Sequence, residues 1–205
     1  MTNTGNNLVN YERFGIDEIT GGNSKEATPA WKELIEAGEF ISRGNLLIVN
    51  GKNVWDASFA AESGYDVTLI DQCGNDNILI DELLQANPDI KYIKQDIFSL
   101  SRVHFAKFDF IYETACSLFI QQDRKNYLKQ ICEFIKPGGR LITIFQVSNK
   151  NIKVEYAGID PVQFHKDADD YVKLELSSKY LVSPGEEKKE EVLQIYYKPV
   201  SQLKK

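Results

Sequence analysis

The segment from residue 46 to residue 71 constrains the fold more than any other part of the chain. Its sequence, LLIVNGKNVWDASFAAESGYDVTLID, reads as a strand, a turn at Gly51, a helix, and a second strand that ends at Asp71. Strands joined in this way by a helix pair in parallel through a right-handed crossover. Ligands of such sheets bind beyond the carboxyl ends of the strands, so Asp71 is predicted to bind ribose hydroxyls. The alternative is that Asp71 only caps the following turn.

The same alternation of strand and helix continues along the chain. The first helix is predicted to begin with Thr28 as N-cap and Pro29 at its first position, and to extend to about Ser42. Further helices are expected over 76–86 and 123–135, with a short helix within 97–106. Strands are expected over 46–49, 65–70, 90–94, 108–112, 140–147, 171–182 and 191–198. The polar connection between the last two strands is too short for a crossover helix, which predicts an antiparallel hairpin.

These elements define an α/β fold. It is a Rossmann-like, doubly wound, mostly parallel seven-stranded sheet with helices on both faces and a C-terminal antiparallel hairpin. With 205 residues and 42% hydrophobic residues, the chain has the size of one domain. We expect an irregular N-terminal arm over residues 1–28 and a single domain over 29–205. The turn KPGG at residues 136–139 leads into the fifth strand.

Composition excludes several classes of function. A formal net charge of −6 disfavours binding to a phosphate backbone, so no nucleic-acid partner is expected. The chain has neither a long apolar segment nor a secretory leader pattern, which predicts a cytoplasmic protein without a membrane partner. A small-molecule substrate is therefore expected.

The cysteines and histidines indicate neither a disulfide framework nor a metal site. Cys73, Cys116 and Cys132 are widely spaced, and His104 and His165 are the only histidines. Cys116 has no base beside it in the sequence, so a buried inert thiol is a better interpretation than a nucleophile. No metal is expected.

Three sequence segments carry a resemblance to a known family. They are TPAW at residues 28–31, FDFIYETACSLF from residue 108, and DRKNYLKQICEFIKPGGRLITIF from residue 123. Together they resemble the class I S-adenosylmethionine-dependent methyltransferases, and within them the thiopurine methyltransferase-like superfamily. The resemblance covers about residues 28–147. It implies S-adenosyl-L-methionine as cofactor.

The resemblance also implies site residues. It gives Glu113 and Thr114 a catalytic role at the end of the fourth strand, facing the sulfonium and the substrate. The cofactor-binding residues that it implies are Trp31, Gly51, Asp71, Gln72, Asp96, Ile97, Phe98 and Glu113. Trp31 would lie over the methionine end of the cofactor, Asp71 would bind the ribose, and residues 96–98 would surround the adenine.

Structural roles compete with these assignments. Trp31 lies near the start of an amphipathic helix, where a tryptophan is more often a core residue than a cofactor lid. Asp96 would serve as an ordinary polar residue after its strand. Glu113 would bind backbone groups at the strand end, although a carboxylate beside the apolar segment TACSLF is costly to bury without a cationic partner.

Three hypotheses follow. The first is an enzyme that transfers the sulfonium methyl group to a thiol, a halide or a similar soft nucleophile, which needs orientation more than acid-base chemistry. The second is a catalytically degenerate protein that keeps the fold and acts as a regulatory or interaction module with a protein partner. It is motivated by the turn NGKNVWD, which holds one glycine where a G-x-G-x-x-G pattern would hold three. The third, a nicotinamide-dependent oxidoreductase, fits the KPGG turn and the C-terminal hairpin less well.

Overall fold

The computed structural model describes eight segments of the chain: residues 26–38, 43–49, 54–70, 78–100, 108–113, 121–147, 161–182 and 189–200. Its helices are α1 (Pro29–Ala37), α2 (Val54–Glu62), α3 (Ile78–Ala86), α4 (Gln121–Phe134) and α5 (Pro161–Ala168), with a 3₁₀ helix at Ile97–Ser99. Its strands are β1 (Asn45–Val49), β2 (Asp66–Ile70), β3 (Lys91–Ile93), β4 (Phe108–Glu113), β5 (Ile135–Val147), β6 (Lys173–Val182) and β7 (Lys189–Tyr197).

The seven strands of the described segments form one sheet in the order β3-β2-β1-β4-β5-β7-β6. The pairs β2–β3, β1–β2, β1–β4 and β4–β5 are parallel, whereas β7 pairs antiparallel with both β5 and β6. The chain order reverses between β1 and β4, which makes this junction the switch point of the sheet. The predicted doubly wound sheet with an antiparallel C-terminal hairpin is confirmed.

Each face of the sheet is covered by a different set of helices, because successive strand side chains point to opposite faces. In β1, Leu46 and Ile48 join the cluster that contains the apolar side chains of α1, α2 and α3. Leu47 and Val49 join the second cluster, which contains those of α4, α5 and the 3₁₀ helix. Both faces of β1 are thus apolar, which explains its uninterrupted hydrophobic sequence.

The start of β5 corrects the prediction that this strand begins after the KPGG turn. β5 begins at Ile135, which pairs with Phe108, and the register between β4 and β5 then shifts before Phe110 pairs with Arg140. Gly138 has a φ of 81° within this irregularity, a conformation that favours glycine. At Gly139 a Cβ would come within 2.7 Å of the backbone oxygen of Asp109, so only glycine fits this close approach.

The first helix begins at Pro29 as predicted but is shorter than predicted, and its N-cap residue makes no side-chain capping hydrogen bond. It ends at Ala37 rather than near Ser42, and Gly38 follows in the left-handed conformation with a φ of 63°. Pro29 occupies the first turn as expected, but the Thr28 side chain makes no capping hydrogen bond to α1. It donates instead to Asp56 on α2.

Helix α5 was not predicted, because the sequence before β6 is short and polar. It begins at Pro161 and buries Phe164 completely. On the same helix, Asp167 accepts a hydrogen bond of 2.8 Å from Arg124 of α4. The helix therefore covers the second face of the sheet, next to α4.

Candidate functional site

The carboxyl ends of the central strands lie together at one edge of the sheet. Val49, the last residue of β1, pairs with Ile70 of β2 and with Glu113 of β4, and Ile70 pairs in turn with Ile93 of β3. These are the strand ends after which the sequence predicted a ligand crevice. Glu113 is the acidic residue among these four terminal positions.

The Glu113 side chain is completely buried at this edge. Its Oε1 atom accepts a hydrogen bond of 3.0 Å from the hydroxyl of Tyr127 on α4, whose side chain is also completely buried. A buried carboxylate is costly unless hydrogen bonds or an opposite charge stabilise it, and here a buried hydroxyl contributes. The hydrogen bond from Tyr127 of α4 therefore orients the side chain of Glu113, the predicted catalytic residue.

The turn after β3 contains three of the predicted cofactor-binding residues, and they behave differently. The Oδ1 atom of Asp96 accepts a hydrogen bond of 2.9 Å from the backbone N–H of Phe98, so Asp96 caps the 3₁₀ helix. Ile97 is completely buried, whereas 44% of Phe98 is exposed. The turn thus carries an exposed aromatic side chain next in sequence to a buried aliphatic one.

Tyr127 connects this turn to Glu113. Besides its hydrogen bond to Glu113, its ring meets the ring of Phe98 edge to face, with 6.3 Å between the centroids. Ile97 belongs to the same apolar cluster as Tyr127. Four of the described residues around this edge are therefore in one connected group: Phe98, Ile97, Tyr127 and Glu113.

Glu113 also begins a row of buried polar residues that crosses the sheet. It pairs with Thr143 of β5, which pairs with Gln194 of β7. Paired residues on neighbouring strands point to the same face, so the three side chains lie side by side beneath α4 and α5. All three are buried. This face of the sheet therefore becomes polar near the carboxyl end of β4.

Trp31 lies on the opposite face of β4 from Glu113. Its ring stacks on Tyr112, with 4.1 Å between the centroids and an interplanar angle of 5°, and Tyr112 precedes Glu113 in the strand. The indole Nε1 donates to the backbone oxygen of Asp56, and the whole side chain is buried. The structure therefore does not bring Trp31 together with Glu113, and the described contacts of Trp31 are those of a core residue.

Asp56, in the first turn of α2, is the centre of a buried polar cluster on the Trp31 side. Its Oδ1 accepts from the backbone N–H of Thr28 at 2.6 Å, and its Oδ2 accepts from the Thr28 hydroxyl at 2.9 Å and from the Tyr112 hydroxyl at 3.0 Å. Only 2% of the side chain is exposed. Asp56 thereby ties the start of α1 to α2 and to β4, next to the strand end that carries Glu113.

The remaining predicted site residues lie outside the described residues. They are Gly51, Asp71, Gln72 and Thr114. Cys116, considered as a thiol in the sequence, also lies outside them. The roles given to all of these residues stay predictions.

Tyr127 and Asp56 were not singled out from the sequence. Tyr127 lies in a polar helix, and its partner Glu113 is 14 positions away. An acidic residue in the first turn of a helix, such as Asp56, was a usable signal, because a negative charge is favourable there. That signal does not reveal partners that lie 28 and 56 positions away.

The described residues contain no group of three or more His, Cys, Asp or Glu side chains arranged to hold a metal ion. In the same part of the chain, no helix is long and apolar enough to cross a bilayer. The thiol of Cys132 is buried, and burial raises its pKa to about 12. At neutral pH this thiol is protonated and is a poor nucleophile.

Several solved structures that are similar to this chain are methyltransferases. The N-methyltransferase NodS from Bradyrhizobium japonicum WM9, in complex with S-adenosyl-L-homocysteine, has a TM-score of 0.65 at 12% identity over 82% of this chain and 85% of that chain. The 1,6-didemethyltoxoflavin-N1-methyltransferase of Burkholderia thailandensis has a TM-score of 0.66 at 14% identity, over 83% and 77%. A TehB-like SAM-dependent methyltransferase from Corynebacterium glutamicum has a TM-score of 0.61 at 21% identity, over 87% and 90%.

The fold is therefore that of the class I S-adenosylmethionine-dependent methyltransferases. The family model of the tellurite resistance protein TehB matches residues 22–169, and the chain belongs to the TehB family. A comparison with curated proteins finds no match.

Proposed function

We propose that this protein uses S-adenosyl-L-methionine to methylate a small-molecule acceptor. The observation that carries the proposal is the Glu113 carboxylate, which lies buried at the carboxyl end of β4, beside the switch point of the sheet, with a hydrogen bond from Tyr127. A ligand of an open α/β sheet binds at this point. Two of the structural relatives were solved with S-adenosylhomocysteine, which supports the same class of cofactor here.

Two of the described residues support this choice of cofactor. The carboxylate of Glu113 complements the positive charge of a sulfonium, and the exposed ring of Phe98 offers an apolar surface to a purine. When bound, the cofactor supplies an activated methyl group. The residues of this chain would orient the sulfonium end at Glu113 and the adenine end at Phe98, while α4 keeps water away from the buried carboxylate.

The proposed acceptor is a thiol, a halide or a similar soft nucleophile. Such an acceptor is already ionised or polarisable, so it needs no general base. The family name refers to tellurite resistance, and tellurium is a soft chalcogen, which fits this class. The closer resemblance to thiopurine methyltransferases stays a prediction. We expect the protein to act in the cytoplasm.

Calorimetric titration with S-adenosylmethionine and with S-adenosylhomocysteine tests the proposal. Binding in the micromolar range would support it, and thiols, halides and tellurite would then be screened as acceptors. The alternative is the degenerate protein, and the observation that favours it is the single glycine of NGKNVWD. Absence of binding to both ligands would support this alternative and direct the search to protein partners.

Substitution of Asp71 tests the predicted ribose contact. We expect Asp71→Ala to weaken binding of S-adenosylmethionine by about 1.5–3 kcal/mol, because hydrogen bonds to a charged acceptor are lost. The matched control is Asp66→Ala at the amino end of β2, where Asp66 forms an exposed ion pair with Lys91. Unchanged affinity in Asp71→Ala would refute the ribose assignment.

A further inference from the structure

Tyr127 contacts both residues that are proposed to meet the two ends of the adenosyl group. Its hydroxyl lies 3.0 Å from Oε1 of Glu113, and its ring meets Phe98 edge to face. Glu113 is the residue proposed to face the sulfonium, and Phe98 is proposed to contact the adenine. One side chain of α4 thus supports both.

The surroundings of Tyr127 leave it little freedom. It is completely buried, in the same apolar cluster as its helix neighbours Leu128 and Ile131, which are also completely buried. A packed aromatic ring with few rotatable bonds can hold its hydroxyl in one position. The hydroxyl therefore restrains the carboxylate of Glu113 more than water could.

The charge of that carboxylate distinguishes the two forms of the cofactor. S-adenosylmethionine carries a positive charge on sulfur, whereas the sulfur of S-adenosylhomocysteine is neutral. A carboxylate fixed toward the sulfur favours the charged form, and a hydrogen bond from a hydroxyl favours the ionised carboxylate. The preference for the charged ligand thus depends on both Glu113 and its hydrogen-bond donor.

We infer that Tyr127 is a positioning residue: it fixes the Glu113 carboxylate for recognition of the sulfonium and supports Phe98 against the adenine. The inference rests on the proposed function. It extends that function to a residue of α4 that acts on the cofactor indirectly, through Glu113 and Phe98. Its observable consequence is the ratio of the dissociation constants for S-adenosylhomocysteine and S-adenosylmethionine.

The test compares this ratio in the wild type and in Tyr127→Phe, which removes the hydroxyl and keeps the ring. We expect the preference for S-adenosylmethionine to fall by about threefold to tenfold, which is less than the full effect of a hydrogen bond to a charged group because the Glu113 charge itself remains. Affinity for adenosine should stay unchanged, because the ring beneath Phe98 remains. The matched control is Tyr196→Phe, which removes another completely buried hydroxyl, one that donates to Gln194. It should keep the wild-type ratio.

A second variant keeps the test decisive if Tyr127→Phe does not fold. Glu113→Gln retains an acceptor for the Tyr127 hydroxyl but removes the charge, so the preference for S-adenosylmethionine must fall. In the double variant Tyr127→Phe/Glu113→Gln, the loss should not exceed that of Glu113→Gln alone, since Tyr127 acts through Glu113.

Three outcomes would overturn the inference. In the first, Tyr127→Phe weakens both ligands by the same factor, which indicates a role in the scaffold only. In the second, Tyr127→Phe or Glu113→Gln keeps the wild-type ratio. In the third, the wild-type protein binds neither ligand, and the proposed function then fails together with the inference.

Discussion

At the scale of single residues, Asp56 is a buried acid that joins several elements of the fold. Thr28 donates to its carboxylate twice and the Tyr112 hydroxyl donates once, so the start of α1, α2 and β4 meet at one carboxylate. An ionised carboxylate accepts from all three at once, whereas an amide turns two hydrogens toward such donors. The cluster thus requires an acid at this position.

We expect Asp56→Asn to lower the free energy of unfolding by about 2–4 kcal/mol, because buried donors lose a charged acceptor. The matched control is Asp81→Asn, since Asp81 also lies in the first turn of a helix but is exposed. It should change stability by less than about 1 kcal/mol. Urea unfolding of the two variants measures both values, and equal values would contradict the role of the cluster.

The sequence predicts the place of a site residue well where that residue directly follows or ends a predicted strand. Glu113 and Phe98 follow buried or alternating strands, and the structure describes them at the carboxyl edge of the sheet. Tyr127 and Asp56 depend instead on the packing of α4 and α2 against β4, which no local pattern encodes. For Trp31 the start of an amphipathic helix favours a core residue over a lid, and its described contacts are those of a core residue.

At the scale of elements, α5 is held to α4 by a buried ion pair. Arg124 and Asp167 lie 2.8 Å apart, and their side chains are 10% and 2% exposed. Gln163, one turn earlier on α5, donates a second hydrogen bond to Asp167. The pair therefore fixes α5 on the second face of the sheet.

We expect Asp167→Asn to destabilise the protein by about 3–5 kcal/mol, because it leaves the Arg124 charge buried without its carboxylate. Asp169→Asn is the control, since Asp169 forms an exposed ion pair with Lys173 and should lose less than about 1 kcal/mol. Thermal unfolding of both variants provides the comparison. A small effect in Asp167→Asn would show that solvent reaches the pair.

The elements that the sequence predicts well are those with a strong hydrophobic period. The predicted bounds of β1, β2 and β4 agree with the observed ones within one residue, because each of these short segments is rich in β-branched, aromatic and other apolar residues. The start of β5 was missed because Lys136-Pro137-Gly138-Gly139 has the composition of a turn, yet Ile135 already pairs with Phe108. Helix α5 was missed because its apolar face is reduced to few residues, among them Phe164.

At the scale of the whole molecule, Asp109 links three strands at the edge opposite to the candidate site. It belongs to β4, its Oδ2 accepts from the backbone N–H of Asn45 in β1, and its Oδ1 accepts from Lys136 in β5. Partial burial acts to raise the pKa of Asp109, but these hydrogen bonds and the Lys136 charge outweigh it and hold the pKa below its usual value.

Because its pKa is lowered, the Asp109 carboxyl group is predicted to stabilise the fold at neutral pH and to lose this effect in acid. A carboxyl group whose pKa is lower in the folded than in the unfolded protein stabilises the fold at pH values above the unfolded pKa. This stabilisation is lost as the pH falls through the folded pKa. We expect Asp109→Asn to reduce stability by about 1 kcal/mol or less at neutral pH, and the difference should shrink in acid. Unfolding curves across pH measure it, with exposed Asp89→Asn as the control. A difference independent of pH would exclude the carboxylate charge as its cause.

The position of β7 has a consequence for synthesis of the protein. β7 follows β6 in sequence but lies between β5 and β6 in the sheet, so this edge of β5 has no neighbour until residues 189–197 have been made. During translation the first five strands can assemble, while β5 displays an unpaired apolar edge to other chains. This edge is therefore shielded only after residues 189–197 have left the ribosome, and until then β5 is exposed to pairing with strands of other chains.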